Sequence, residues 1–156
     1  MKTYYSSVIN KYLQSIYTML ENHETVKAVK LSKRLNSSAS TVHATLFRMQ
    51  RDGLIFVNEK KMIFLTNEGT DHAVSLVRRR RLTEKLLCEK LGIPLQEAVN
   101  HISLLIQGFT PLVEKKLAEY LGNPKICPHG KPIPHGKQEI NRQTVIDPEL
   151  KSKFAN

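Results

Sequence analysis

A chain of 156 residues with a formal charge of +10 and a pI near 9.7 has room for one ordinary domain or two small ones. Its charge favours polyanionic partners, because neutralising phosphates releases condensed counterions. Two cysteines, Cys88 and Cys127, exclude a disulfide framework and fit a reducing compartment, while no apolar run is long enough to span a bilayer and MKTYYSSVINKYLQSIY lacks an apolar leader.

The sequence has no glycine-rich phosphate loop, no nucleophile elbow and no paired carboxylates with a histidine at motif spacing, so it reads as a cytoplasmic non-enzyme with no membrane partner. The basic excess is not confined to a tail. Residues 1 to 70 hold 10 basic and 5 acidic side chains, residues 71 to 136 hold 10 and 6, and residues 137 to 156 hold 4 and 3.

In chain order, Ile9, Leu13, Ile16 and Leu20 follow the four, three, four spacing of an amphipathic helix over about Ser6 to Glu21. Val26, Leu31 and Leu35 put apolar groups on one face of a short second helix, which Asn36 and Ser37 break. Ser38 is suited to cap a third helix, whose inward face is Val42, Leu46 and Met49. Ser40, Thr41, His43, Ala44, Phe47 and Arg48 then point away from the core, and Gly53 ends the helix in a left-handed cap. This is the pattern of a helix-turn-helix. Two strands follow, Leu54 to Asn58 and Met62 to Thr66, joined by a basic tip with Lys60 and Lys61, which makes the unit a winged helix.

From Thr66 a long helical pattern reaches Leu91, stopped by Gly92 and Pro94, with the stripe Ala73, Val77, Arg80, Glu84, Leu87 and Leu91. Arg80 and Glu84, in the middle of a face apolar at both ends, are expected to form a partly buried ion pair, whereas Arg78 and Arg79 are expected to be solvated. A helix over Leu95 to Gln107 carries Ala98, Ile102, Leu105 and Ile106. Thr110 and Pro111 open another, with Val113, Leu117, Tyr120 and Leu121 as its inward face. Two helices this apolar imply a homodimer. Four prolines between Asn123 and Gly136 exclude further helix there, and the polar residues after them form a tail. The expected organisation is mainly α with a small β-hairpin: a winged helix-turn-helix DNA-binding domain over residues 1–70, an α-helical dimerisation domain over 71–136, and a C-terminal tail over 137–156.

YLQSIY from Tyr12, LSKRLNSSASTVHATLFRMQRDGLI from Leu31, LTNEG from Leu65, RRRRLTEKLL from Arg78 and LGNPKICPHGKPIP from Leu121 occur in an order and spacing that resemble the diphtheria toxin repressor family of metal-dependent transcription factors. The resemblance covers about residues 10 to 136. It implies a twofold dimer on a palindromic double-stranded DNA operator, and the twenty residues after Gly136 leave no room for the SH3-like third domain of some members. Phosphates would be met by Ser38, Thr41, Lys30, Arg48 and Arg51, with Lys60 and Lys61 of the wing. Base edges would be read by Ser40, His43 and Ala44, the last through a thymine methyl. The family often has proline at the position of Ser40, so a different operator is implied.

The family's metal ligands fall, one by one, on Lys11 and Gln14 in the first helix, Arg80 and Glu84 in the long helix, and Ser103, Ile106 and Gln107 in the next; a further histidine position holds Val99. Only Glu84 is a good ligand, and fixed cations at Lys11 and Arg80 repel a metal ion, so the expectation is a metal-independent repressor without a cofactor. Alternatives remain open: a manganese-, iron- or zinc-responsive repressor with a rebuilt site, or a dimerising interaction protein that no longer binds DNA. For a rebuilt site the sequence offers Cys127 and His129 with His135, where the resemblance assigns C-P-H-G to a structural turn, or Glu84 and Cys88 with His72 or His101.

Overall fold

The computed structural model describes residues 5–135. It holds two compact units, one ending at Ala73 and one beginning at Val74. The tail expected over 137–156 lies outside the described residues.

The first unit contains α1 (Ser7–Glu21), α2 (Ala28–Leu35), α3 (Ala39–Arg51), β1 (Ile55–Val57), β2 (Ile63–Leu65) and the start of α4 (Asn67–Lys85). The apolar stripe of α1 is buried as its spacing predicts, and burial extends round the helix to Tyr12, Ser15, Tyr17 and Met19. Ser6 caps it, its Oγ accepting from the Ile9 amide. Val42, Leu46 and Met49 of α3 are buried with Thr45 beside them. Each such aliphatic side chain removed from water contributes about 1.5–3 kcal/mol before entropy is counted.

Val26 does not belong to α2, contrary to the sequence reading. It lies in the extended segment before the helix, buried, and its carbonyl accepts from the Ile63 amide at 2.9 Å, tying that segment to β2. The strands are antiparallel with Ile55 opposite Leu65, Phe56 opposite Phe64 and Val57 opposite Ile63. Ile55, Ile63 and Leu65 face the core, while Phe56 and Phe64 form a cross-strand pair on the other side. Both strands are shorter than expected because polar side chains capture their ends. Asn58 Oδ1 accepts from the Met62 amide at 2.9 Å and closes the tip, and Thr66 is drawn into the start of α4.

That start is built tightly. The Thr66 hydroxyl donates to the Gly53 carbonyl at 2.6 Å and accepts from the Gly69 amide at 3.0 Å, while the Thr66 amide donates to the Leu54 carbonyl at 3.1 Å. A Cβ on Gly69 would overlap that same Leu54 carbonyl, so glycine is required by close approach of two backbones.

In the second unit α4 ends at Lys85 and continues as a π-helical turn, Leu86–Lys90, followed by α5 (Leu95–Leu105), a 3-10 turn (Ile106–Gly108) and α6 (Pro111–Tyr120). The wider π turn breaks the expected stripe: Leu87 is buried but Leu91 is exposed. Leu87 packs with Ala98, Ile102 and Ile106, with Cys88 and Ile93 at the edge. A second cluster joins Leu82, Ala118, Cys127 and Ile133, with Leu117 and Leu121 against it.

Two expectations need correction. Arg78 and Arg79 are not solvated: their Nε atoms lie 3.0 and 2.9 Å from the two Glu114 carboxylate oxygens, with all three side chains mostly buried. Arg78 Nη1 also donates to the Pro134 carbonyl and Arg81 Nη1 to that of Pro132, both at 2.6 Å. Because Glu114 must face these cations, the inward face of α6 is Glu114, Leu117, Ala118 and Leu121, and Val113 and Tyr120 are exposed.

Gly69→Ala should lower stability by about 3 kcal/mol or more through backbone overlap, and Thr66→Ala by about 1–2 kcal/mol through the lost cap; urea unfolding reads both. Glu114→Ala leaves two mostly buried guanidinium groups facing each other, so it should cost at least about 1 kcal/mol, whereas Glu119→Ala, which removes only an exposed partner of Lys116, should leave the unfolding midpoint unchanged.

Candidate nucleic-acid interface and metal centre

The turn between α2 and α3 is set by local hydrogen bonds. Asn36 takes the left-handed conformation at φ 49°, the Ser37 amide donates to the Ser32 carbonyl at 3.0 Å, and the Ser32 hydroxyl donates to the Ser37 carbonyl at 2.6 Å. Ser38 then caps α3: its Oγ accepts from the Thr41 amide at 3.2 Å and its hydroxyl donates to Thr41 Oγ1 at 2.8 Å. With the opposite face buried, Ser40, Thr41, His43, Ala44, Phe47, Arg48 and Arg51 are all exposed. Lys30 on α2 is exposed as well.

Some of these side chains already have partners. Arg51 Nε bonds Asp52 Oδ1 at 2.9 Å, so an external anion has to compete with Asp52. Arg48 reaches Thr45 Oγ1 only at 3.5 Å. At the hairpin tip Lys60 and Lys61 are exposed, and Lys61 sits at φ 58°, a conformation that favours glycine or asparagine.

The positions mapped onto the family's metal ligands do not form a donor set. Lys11 is exposed, and Gln14 is half-buried with its Nε2 donating to the Asn10 carbonyl at 3.3 Å. In the second unit Ser103 and Gln107 are exposed and Ile106 is enclosed by apolar side chains. The expected Arg80–Glu84 pair is absent among the described residues. Glu84 turns instead to His129, whose Nδ1 lies 2.5 Å from its Oε1, and Arg80 is half-buried without a hydrogen bond or ion pair among those residues.

Glu84, Cys127 and His129 do come together. Their donor atoms all lie within 4.8 Å of one another, with Glu84 and Cys127 buried and His129 exposed. The C-P-H-G segment makes this possible by being a turn: the Cys127 amide donates to the Lys131 carbonyl at 2.9 Å and the Gly130 amide to the Cys127 carbonyl at 2.8 Å, with Gly130 at φ 76°. The bonds from Arg78 and Arg81 to the Pro134 and Pro132 carbonyls hold the returning strand of that turn along α4.

Neither pairing read from the sequence is the one formed. Cys127 and His129 join Glu84, not His135, and Glu84 does not join Cys88, His72 or His101. His72 stacks edge-on against Tyr5, and His101 is exposed. Burial, followed by the carboxylates of Glu84 and Glu89, pushes the Cys88 thiol up, which disfavours the thiolate. The C-x-H spacing is visible in the sequence; its partner, 45 residues earlier, is not.

One carboxylate, one thiol and one imidazole at this separation fit a borderline divalent ion such as zinc, as three of its four usual ligands, once the thiol loses its proton. Glu84 and Cys127 would hold it from the buried side and His129 from the solvent side.

Residues 5–63 match the model of the iron-dependent repressor N-terminal DNA-binding domain, and residues 66–135 match that of the iron-dependent repressor metal-binding and dimerisation domain. The chain belongs to the diphtheria toxin repressor family. It is 35% identical over 123 residues to the iron-dependent repressor IdeR of Mycobacterium tuberculosis, spanning 79% of this chain and 54% of that one. It is 31% identical over 138 residues to the diphtheria toxin repressor of Corynebacterium glutamicum, spanning 88% and 60%. It thus spans little more than half the length of these relatives. Among solved structures, the manganese regulator SloR superposes with a TM-score of 0.75 at 27% identity, over 83% of this chain and 60% of that one. Family membership accounts for the winged helix followed by helices.

Cobalt(II), as a spectroscopic stand-in for zinc, tests the donor set. The wild type should develop near-ultraviolet thiolate-to-metal absorption that Cys127→Ser abolishes, His129→Ala weakens and Cys88→Ser leaves unchanged.

Proposed function

We propose that this chain is a sequence-specific double-stranded DNA-binding transcriptional repressor that acts as a homodimer in the cytoplasm, with a DNA-binding domain over residues 1–70 and a dimerisation domain over 71–136. The observation that carries the reading is α3: a capped helix with one face buried under the unit and the other wholly exposed, polar at its start and basic at its end. Ser38, Thr41, Lys30, Arg48 and Arg51, with Lys60 and Lys61, contact phosphates; Ser40, His43 and Ala44 read bases. Dimerisation is supported by the large apolar side chains that α5 and α6 leave exposed, Leu104, Leu105, Leu112, Val113 and Tyr120.

Operator binding in this proposal does not depend on metal at the positions of Lys11, Gln14, Ser103, Ile106 and Gln107, whose side chains are poor ligands for a transition ion. One observation favours a second reading, in which manganese, iron or zinc modulates binding through Glu84, Cys127 and His129.

Fluorescence anisotropy on the chain's own upstream region separates these. Equal affinity in chelator and in added manganese, iron(II) or zinc is the metal-independent outcome. Affinity that rises with one ion, and no longer rises in the Cys127→Ser/His129→Ala double variant, is the metal-responsive one. No specific binding under any condition sinks the repressor reading. Within either DNA-binding outcome, Arg51→Ala should weaken all duplexes and reduce the salt slope by about one, while His43→Ala should change sequence preference.

A further inference from the structure

Phe47 is 71% exposed, an aromatic side chain left in water on a helix whose other large apolar residues are buried. Its place on α3 is informative. At about 100° per residue, Ser40, Ala44, Phe47 and Arg51 fall within an arc of roughly 60° directly opposite Val42, Leu46 and Met49. His43 lies one position to the side. Phe47 therefore continues the line of Ser40 and Ala44 one turn further along the helix, about 10 Å from Ser40, with Ala44 adjoining it at i−3, Arg51 one turn beyond it, Arg48 on one side and His43 and Gln50 on the other.

We propose that Phe47 is a further specificity-determining residue, which packs with Ala44 against the C5 methyl of a thymine in the major groove. The inference rests on the DNA-binding reading above. Charge and shape decide the occupant: the apolar strip is narrow, one side chain wide, with Arg51 at its end and Arg48 along one side, both exposed, as suits a groove walled by phosphates. Thymine is the one base that presents a methyl group in that groove, and apolar side chains such as alanine and phenylalanine are suited to meet it; at position 47 the phenylalanine ring extends further from the helix than an alanine methyl does. Selectivity follows from loss: a pyrimidine without the methyl leaves the ring partly uncovered.

The test uses the full-length chain and a duplex that it selects from a randomised library. Each thymine in one half-site is replaced in turn by deoxyuridine, which removes the methyl and nothing else, and affinities are measured for the wild type, Phe47→Ala and Phe47→Leu. The wild type should lose about fourfold at one thymine, the worth of one buried methyl-sized group. Phe47→Ala should be insensitive at that thymine, and Phe47→Leu should keep part of the discrimination. Equal losses in wild type and Phe47→Ala at every thymine overturn the proposal while leaving DNA binding intact. Failure to select any duplex overturns it together with the reading on which it rests. Because Phe47 is exposed, circular dichroism should show the same unfolding midpoint for all three proteins.

Discussion

The first unit depends on one close backbone approach. Gly69, in the first turn of α4, lies against the Leu54 carbonyl, and Thr66 binds both sides of the same junction through its hydroxyl and its amide. Three pieces of chain meet there: the end of α3, the start of β1 and the start of α4. Buried backbone groups need partners, and here one threonine supplies them at a point where the chain changes direction twice. The orientation of the hairpin relative to α3, and hence the placing of its basic tip, follows from that junction and from the bond between Ile63 and Val26.

In the second unit the corresponding organiser is a set of arginines. A run of four cations on one helix would repel itself if left together in a low-dielectric setting. The run is instead divided: Arg78 and Arg79 share Glu114, and Arg78 and Arg81 reach proline carbonyls 51 to 56 residues away. Proline has no amide hydrogen, but its carbonyl accepts normally, so a proline-rich segment is well suited to receive guanidinium donors without competing for them. The same bonds that hold this segment place Cys127 and His129 beside Glu84.

Local chemistry in this chain is legible from the sequence and long-range pairing is not. The caps at Ser38 and Thr110, the stripe of α1, the turn at Gly53 and the outward face of α3 are decided within four or five residues, and periodicity exposes them. Val26 is misplaced by spacing alone because an extended residue just before a helix has the same spacing as one inside it; only its bond to Ile63 distinguishes the two. Arg78 and Arg79 look solvated because their acceptor lies on another helix, and the face of α6 is misread for the same reason, since Glu114 is a poor candidate for burial until its partners are known. Glu84 stands out in the sequence as the surviving ligand-like residue, yet local spacing assigns it to the nearest cation on its own helix instead of to an imidazole 45 residues away.

The π turn at Leu86–Lys90 gives the second unit a property that a continuous helix would lack. A π turn accommodates an additional residue without ending the helix. Here it is the last turn of the helix, and its C-cap Leu91 is rotated about a quarter turn from where the α4 repeat would have carried it, roughly 100° for one residue. Leu87 faces its cluster and Leu91 does not, although four residues separate them. Insertion or deletion of a single residue there would therefore act as a phase shifter: the arginine-bearing half of the helix could keep its contacts while the α5 side presented a different set of side chains.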